Sequence, residues 1–160
     1  MADAIRTSLV YIERDGKYLM LYRNRKKDDL NAGKWVGVGG KFEPGETPEA
    51  CAIRETREET GLTLLRPIAR GIVTFESDRY PTTEDMYLFT CTEFSGTLRA
   101  CDEGDLSWIE KSRVPTLPLW EGDRIFLSLL ALDAPFFSLT LVYRGEELVR
   151  ATLDGRELPL

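Results

Sequence analysis

Apolar strand formers crowd residues 5–13 (IRTSLVYIE) and 17–23 (KYLMLYR), and the Asp15-Gly16 pair between them has the chemistry of a tight turn, so this stretch is read as a hairpin. Residues 24–33 (NRKKDDLNAG) are polar, charged and aperiodic, which reads as a surface loop. A short strand is expected over 34–38 (KWVGV), ending in Gly39-Gly40, where missing side chains permit unusual backbone angles or the close approach of a ligand. A helix follows, and its boundaries are written in its ends: Thr47 suits the N-cap, Pro48 the first turn, Glu49 the positive end of the dipole and Gly61 the C-terminal cap. Beyond it, 62–65 reads as extended, and 69–76 and 85–92 as strands joined by the turn-rich 77–83. Residues 97–100 and 106–110 are expected to add short strands on either side of an acidic loop, 101–105 (CDEGD). After Pro115 and Pro118 the apolar period becomes helical over 122–133, with Ile125, Phe126, Leu129, Leu130 and Leu132 on the buried side. Residues 137–144 and 148–153 read as a closing hairpin turned at Gly145.

This order of elements predicts an α+β protein with a mixed, mostly antiparallel sheet, one helix between early and late strands and another near the end. No repeat, low-complexity tract or linker interrupts the 160 residues, which are read as a single domain, 1–160. The net charge of -6 speaks against a general electrostatic grip on nucleic acid, so no nucleic-acid partner is expected, and a phosphorylated ligand would need a cation to offset the charge. Arg23, Arg25, Lys26 and Lys27 are candidates to attract phosphates, or else the charges of a solvated loop. The chain has no histidine, which removes histidine general bases, Ser-His triads and histidine-ligated metals together. Cys51, Cys91 and Cys101 are odd in number and lack CxxC spacing, and are read as reduced thiols. Neither a signal-peptide pattern nor 18 consecutive apolar residues is present, so a cytoplasmic protein without a membrane partner is expected. Oligomeric state leaves no signal in the residues.

Charge crowding changes the picture of the first helix. Six carboxylates fall between Glu43 and Glu59, and helical spacing puts Glu55, Glu58 and Glu59 on one face. Like charges so close repel, and a hard divalent cation with oxygen ligands is the simplest compensation; the alternative is an ordinary solvated face. The full pattern is G-x5-E-x7-R-E-x-x-E-E-x-G over residues 40–61, with seven fixed positions: Gly40, Glu46, Arg54, Glu55, Glu58, Glu59 and Gly61. It resembles the signature of the Nudix hydrolases, which cleave nucleoside diphosphates linked to a further moiety. The resemblance implies the Nudix fold, a mixed sheet sandwiched between helices. It further implies that Glu55, Glu58 and Glu59 ligate Mg²⁺, with Mn²⁺ as a substitute and the Gly39 carbonyl as a further ligand, and that Arg54 and Glu46 form a structural ion pair. Thr56 departs mildly, standing where the family has a bulkier apolar residue. Without histidine a carboxylate must take the proton of the attacking water, and two candidates stand: Glu55, and Glu103 in the acidic loop, where the family places a further catalytic, metal-binding glutamate.

The stretches AGKWVGVGGKFEPGETP, PLWEGDRIF and FFSLTLVYRGEEL are similar to the MutT-type branch, the 8-oxo-dGTP diphosphatases. That resemblance implies a small nucleotide substrate, 8-oxo-dGTP, cleaved by water attack on the β-phosphorus to the monophosphate and pyrophosphate. It implies a base pocket containing Trp120 and Asp123, with Asp123 on the purine edge, Phe75 packed against the ring and Arg23 near the phosphates; Trp120 and Phe75 read equally well as core aromatics. Two departures bear on base reading. Val36 stands where vertebrate members carry a base-reading Asn, and Gly122 replaces the first of two adjacent Asp residues. Rival substrates within the family are ADP-ribose and dinucleoside polyphosphates, and a nucleotide-binding module without catalysis is the rival of another class.

Overall fold

The computed structural model describes residues 4–25 and 29–160, so Lys26 and Lys27 lie outside the described residues. In chain order the elements are β1 (Ile5–Arg14), β2 (Lys17–Arg23), β3 (Trp35–Val36), β4 (Val38–Lys41), α1 (Pro48–Thr60), β5 (Leu62–Leu64), β6 (Ile68–Ser77), β7 (Glu84–Cys91), β8 (Phe94–Gly96), β9 (Gly104–Glu110), α2 (Glu121–Ala131), β10 (Phe137–Arg144), β11 (Glu147–Leu153) and β12 (Arg156–Glu157). A one-turn 3-10 helix, Val114–Thr116, precedes α2. No helix among the described residues is long and apolar enough to cross a membrane.

The hairpin turn forms where Asp15 and Gly16 both take positive φ, 52° and 75°, the pairing that matches strand twist in a two-residue loop. Only its tip is laddered, at Glu13↔Tyr18 and Arg14↔Lys17. Away from the turn β1 exchanges β2 for β4, pairing Thr7–Val10 antiparallel with Val38–Lys41, while its other edge runs parallel to β7. β2 in turn runs antiparallel to β9 and also holds β3. The sheet is therefore mixed, with the parallel pairs β1/β7 and β6/β10 among antiparallel neighbours.

Both faces of this sheet are covered, which explains the unbroken apolar runs in β1 and β2. Alternation sends Tyr11 and Met20 to a core completed by Phe126, Leu139 and Leu141. Val10, Ile12, Leu19 and Leu21 face the opposite core, completed by Val38, Ala52 and Leu62. α2 covers the first core and α1 the second, so the mixed α+β sheet between helices matches the expectation.

Several local expectations are corrected. Gly39 and Gly40 lie inside β4, because their backbone continues the ladder with Leu9 and Ser8. Residues 97–100 form no strand; the short strand is β8, paired with β5. Residue Arg99 works instead at the end of α1, its backbone N–H donating to the Thr60 carbonyl at 2.9 Å and its guanidinium to the carbonyls of Arg57 at 3.1 Å and Glu58 at 2.8 Å. Those are the orphan acceptors of a helix C-terminus, and a cation is their natural partner. Leu132, assigned above to the buried face, is 76% exposed, because the helix ends at Ala131 and the chain turns outward there. All three cysteines are free and buried.

Candidate active site

α1 starts and stops where the sequence says. Thr47 Oγ1 accepts the Ala50 N–H at 3.1 Å, and Gly61 closes the helix with φ 81° and an N–H donated to the Arg57 carbonyl. That register turns Glu59 inward, where it is buried and its Oε2 accepts the Gly39 N–H at 3.1 Å. Glu55 lies over Gly40, and a Cβ at residue 40 would meet the Glu55 carboxyl group, so glycine there lets the carboxyl group rest against the strand where a larger residue would displace it. Glu58 stands at the solvent edge with 58% of its side chain exposed.

Arg54 organises the loop around this face. Its Nε donates to Glu46 Oε2 at 2.7 Å and its Nη2 to Glu46 Oε1 at 3.0 Å, a two-pronged pair, and Nη2 also reaches the Lys41 carbonyl at 2.9 Å. Its Nη1 contacts Glu55 at 2.8 Å and Glu58 at 3.2 Å. Hydrogen bonds from Arg54, and then from the Glu43 backbone, pull the Glu46 carboxyl down to about 2. Glu55 moves upward, chiefly through burial. Glu59 moves further upward, through burial first and the charge of Glu103 second.

Glu103 joins this group from the loop before β9, where its N–H donates to Cys101 Sγ at 3.5 Å. Arg23 Nη1 holds Glu103 Oε2 at 2.9 Å, and Arg23 Nε holds Asp29 Oδ2 at 2.6 Å. Arg23, expected near phosphates, is thus already committed to two carboxylates. Among the described residues no three carboxylates converge tightly enough to enclose an ion as they stand. The chemistry of the set nevertheless fits a hard cation: every donor is oxygen, and Glu55 and Glu59 resist ionisation because their burial and the neighbouring carboxylates outweigh the pull of Arg54 on Glu55 and of the Gly39 N–H on Glu59. Glu55, Glu58, Glu59, Glu103 and the Gly39 carbonyl are the groups that would hold it.

A second cluster lies at the start of α2. Trp120 precedes the helix, its ring edge-on to Tyr143 at 5.3 Å and beneath Lys34 Nζ at 4.6 Å; Lys34 also pairs with Glu146 at 3.3 Å. Phe75 on β6 stacks on Tyr143 with centroids 6.4 Å apart. Asp123 is 4% exposed, and among the described residues no side chain or backbone group donates a hydrogen bond to its carboxyl group. Burial pushes it up to about 8 against the opposing pull of Arg124 and Lys34. The Tyr11 hydroxyl is also buried, with only the Gly37 backbone N–H directed at it in geometry short of a full hydrogen bond, and Asp123 is the main charge acting on it.

Val36 does not join this cluster. β3 sends Trp35 and Val36 to opposite faces, and Val36 packs into the α1-side core with Leu21 as its cross-strand partner. Gly122 has a structural reason as well: its N–H donates to the Tyr143 hydroxyl at 2.8 Å, and a Cβ there would run into Leu141 and that hydroxyl. Glycine costs about 1 kcal/mol relative to alanine inside a helix. Overpacking costs about 1–3 kcal/mol, so Gly122→Ala is expected to lower stability despite its better propensity, by a net ~1 kcal/mol in chemical denaturation. A stabilised variant would refute the packing account. Tyr11, Tyr143, Asp29 and Asn31 were missed from sequence; a tyrosine amid the apolar run of β1 was the one available signal.

Residues 4–130 match the NUDIX domain family. The chain is 30% identical over 152 residues to an uncharacterized Nudix hydrolase, YvcI, of Bacillus subtilis, covering 92% of both chains. It is 29% identical over 150 residues to the oxidized purine nucleoside triphosphate hydrolase of Danio rerio, covering 94% of both. The crystal structure of a MutT protein from Bacillus halodurans superposes with a TM-score of 0.84 at 28% identity, over 94% of this chain and 97% of that one. With the glycine strand, the arginine-clamped loop and the acidic helix face all in one arrangement, this chain belongs to the Nudix hydrolase family.

Proposed function

We propose that the protein is an Mg²⁺-dependent pyrophosphohydrolase of purine nucleoside triphosphates, with 8-oxo-dGTP its preferred substrate and Mn²⁺ able to replace Mg²⁺. The observation that carries the purine reading is the Asp123 carboxyl group, 4% exposed and without a hydrogen-bond donor among the described residues, at the start of the helix that Trp120 precedes and close enough to the under-satisfied Tyr11 hydroxyl to act on it electrostatically. Buried polar groups find partners, and a purine edge carries donors and acceptors in a flat frame suited to an aromatic-walled slot. The resemblance to the Danio rerio hydrolase of oxidized purine nucleoside triphosphates supports the same reading.

In this mechanism Glu55, Glu58, Glu59 and Glu103 would hold the cation, which would neutralise phosphate charge and lower the pKa of water. Water forms a bond to the β-phosphorus, the bridging bond to the α-phosphate breaks with its electron pair leaving on the nucleoside monophosphate, and pyrophosphate carries the new oxygen. The water's proton goes to Glu55 or Glu103. Raised proton affinity suits Glu55 to that task. Arg54 keeps Glu46 and the loop against the helix, so its contribution is to hold the acids in place.

Pyrophosphate release from a panel of nucleoside triphosphates with Mg²⁺ tests this. The expected result is kcat/KM for 8-oxo-dGTP at least about tenfold above dGTP, a margin that one well-made hydrogen bond can supply. Equal rates would refute selection of the oxidised base. Absence of metal-dependent turnover on every nucleotide would refute the enzyme.

A further inference from the structure

A chain of hydrogen bonds crosses from Trp120 to the acidic cluster through side chains that neither end contains. The Trp120 indole N–H donates to Asn31 Oδ1 at 2.8 Å. The Asn31 backbone N–H donates to Asp29 Oδ1 at 3.0 Å, and the other oxygen of the same carboxylate takes the Arg23 Nε–H at 2.6 Å. Arg23 then reaches Glu103 at 2.9 Å. The central pair is shielded from water, with side-chain exposures of 16% for Arg23 and 8% for Asp29. Charge-assisted contacts in such a setting are stiffer than surface ion pairs.

The backbone makes the same connection. Ala32 N–H donates to the Asp29 carbonyl at 3.0 Å and Lys34 N–H to the Asn31 carbonyl at 2.9 Å, closing residues 29–34 into a compact turn. Gly33 N–H bonds the Arg23 carbonyl at 2.9 Å and Arg23 N–H the Lys34 carbonyl at 3.0 Å, so the turn is laced to the residue that holds Glu103. Trp35 N–H, donated to the Pro118 carbonyl at 2.9 Å, ties its far end to the segment that carries Trp120.

We propose that Arg23, Asp29 and Asn31 are positioning residues that couple the seating of a base against Trp120 to the placement of Glu103 beside Glu59. The proposal rests on the reading of Trp120 as a base contact. A base that seats Trp120 correctly holds Asn31 and Asp29 in register, and Asp29 then fixes the guanidinium that orients Glu103. A triphosphate whose base pushes Trp120 aside breaks this run of bonds at Asn31, so selectivity is expressed in kcat as well as in KM.

Coupling of this kind is reciprocal, which allows a test without metal or turnover. Free 8-oxo-deoxyguanosine, which has no phosphates to touch Glu103, is titrated against metal-free protein by tryptophan fluorescence. Glu103→Gln is expected to weaken its binding about fivefold, the low end of ordinary coupling, and that ratio is expected to fall below about twofold when Asn31→Ala is present in both proteins. An equal ratio in the two backgrounds overturns the coupling while leaving the base pocket intact. Absence of nucleoside binding by the wild type overturns the base pocket and the coupling with it. In turnover, Trp120→Phe keeps a ring but removes the indole donor. Its effect on kcat is expected to disappear in an Asp29→Asn background, and fully multiplicative losses would overturn the proposal.

Discussion

Glu59→Gln is expected to lower kcat by about 10²–10⁴-fold, the span that a positioned acidic group contributes, while making the metal-free protein more stable at pH 8. The two halves of this result have one cause. Glu59 is buried, faces the charge of Glu103 and accepts the Gly39 N–H, and its proton affinity in the folded protein is raised, by burial first and by Glu103 second. A raised folded pKa means that the group's contribution to stability is fully present below the ordinary glutamate value of 4.5 and is lost as pH rises through the raised value. Glutamine keeps the shape and an acceptor for Gly39 and never ionises. Its thermal midpoint should therefore fall less than that of the wild type between about pH 5 and 8, a gain of about 1–2 kcal/mol at the upper end. Added Mg²⁺ should stabilise the wild type and leave the variant nearly unmoved, since only a ligand bound to the folded state shifts the midpoint. A glutamine variant less stable than the wild type in chelator at pH 8 would show that Glu59 is a structural acid, and the metal assignment would fall with it.

How much of this was legible beforehand depended on whether a property was local. The turn at Asp15-Gly16, the Thr47 and Gly61 caps and the helix between them follow from interactions within four or five residues, and the structure has them where the residues said. Gly40 was legible as a close approach, although what approaches is Glu55 and not a ligand. Arg23 shows the limit: its charge suggested phosphates, but Asp29 lies in the next loop and Glu103 is 80 positions away, and nothing local announces either partner. The packing of Val36 on the α1 side was not legible, because alternation in a two-residue strand fixes that the two faces differ, but not which face belongs to which core. Gly122 looked like a lost recognition group; its reason is the Tyr143 hydroxyl, supplied by a strand that enters after the helix.

Asp123→Asn is expected to remove a pH-dependent step in base selectivity. In the wild type, burial holds the Asp123 carboxyl group protonated up to about 8, with Arg124 and Lys34 pulling the other way. Below that value the group offers an O–H and can serve an acceptor on a purine edge; above it the carboxylate only accepts, and suits an edge of N–H groups such as guanine-type bases carry. Binding of an adenine-type nucleoside relative to a guanine-type one should therefore fall as pH rises through about 8, and the asparagine variant, which cannot titrate, should hold a constant ratio. Asp123→Ala removes both forms and leaves Tyr11 as the remaining buried polar group of the pair, so kcat/KM for purine triphosphates should drop about 10–150-fold, mostly through KM, with pyrimidine triphosphates changed far less. The large effect and its base dependence come from the same feature, a carboxyl group with no hydrogen-bond donor among the described residues. A ratio that stays flat across about pH 7–9 in the wild type, or an alanine variant equally impaired on purines and pyrimidines, would move Asp123 from base recognition to the packing of α2.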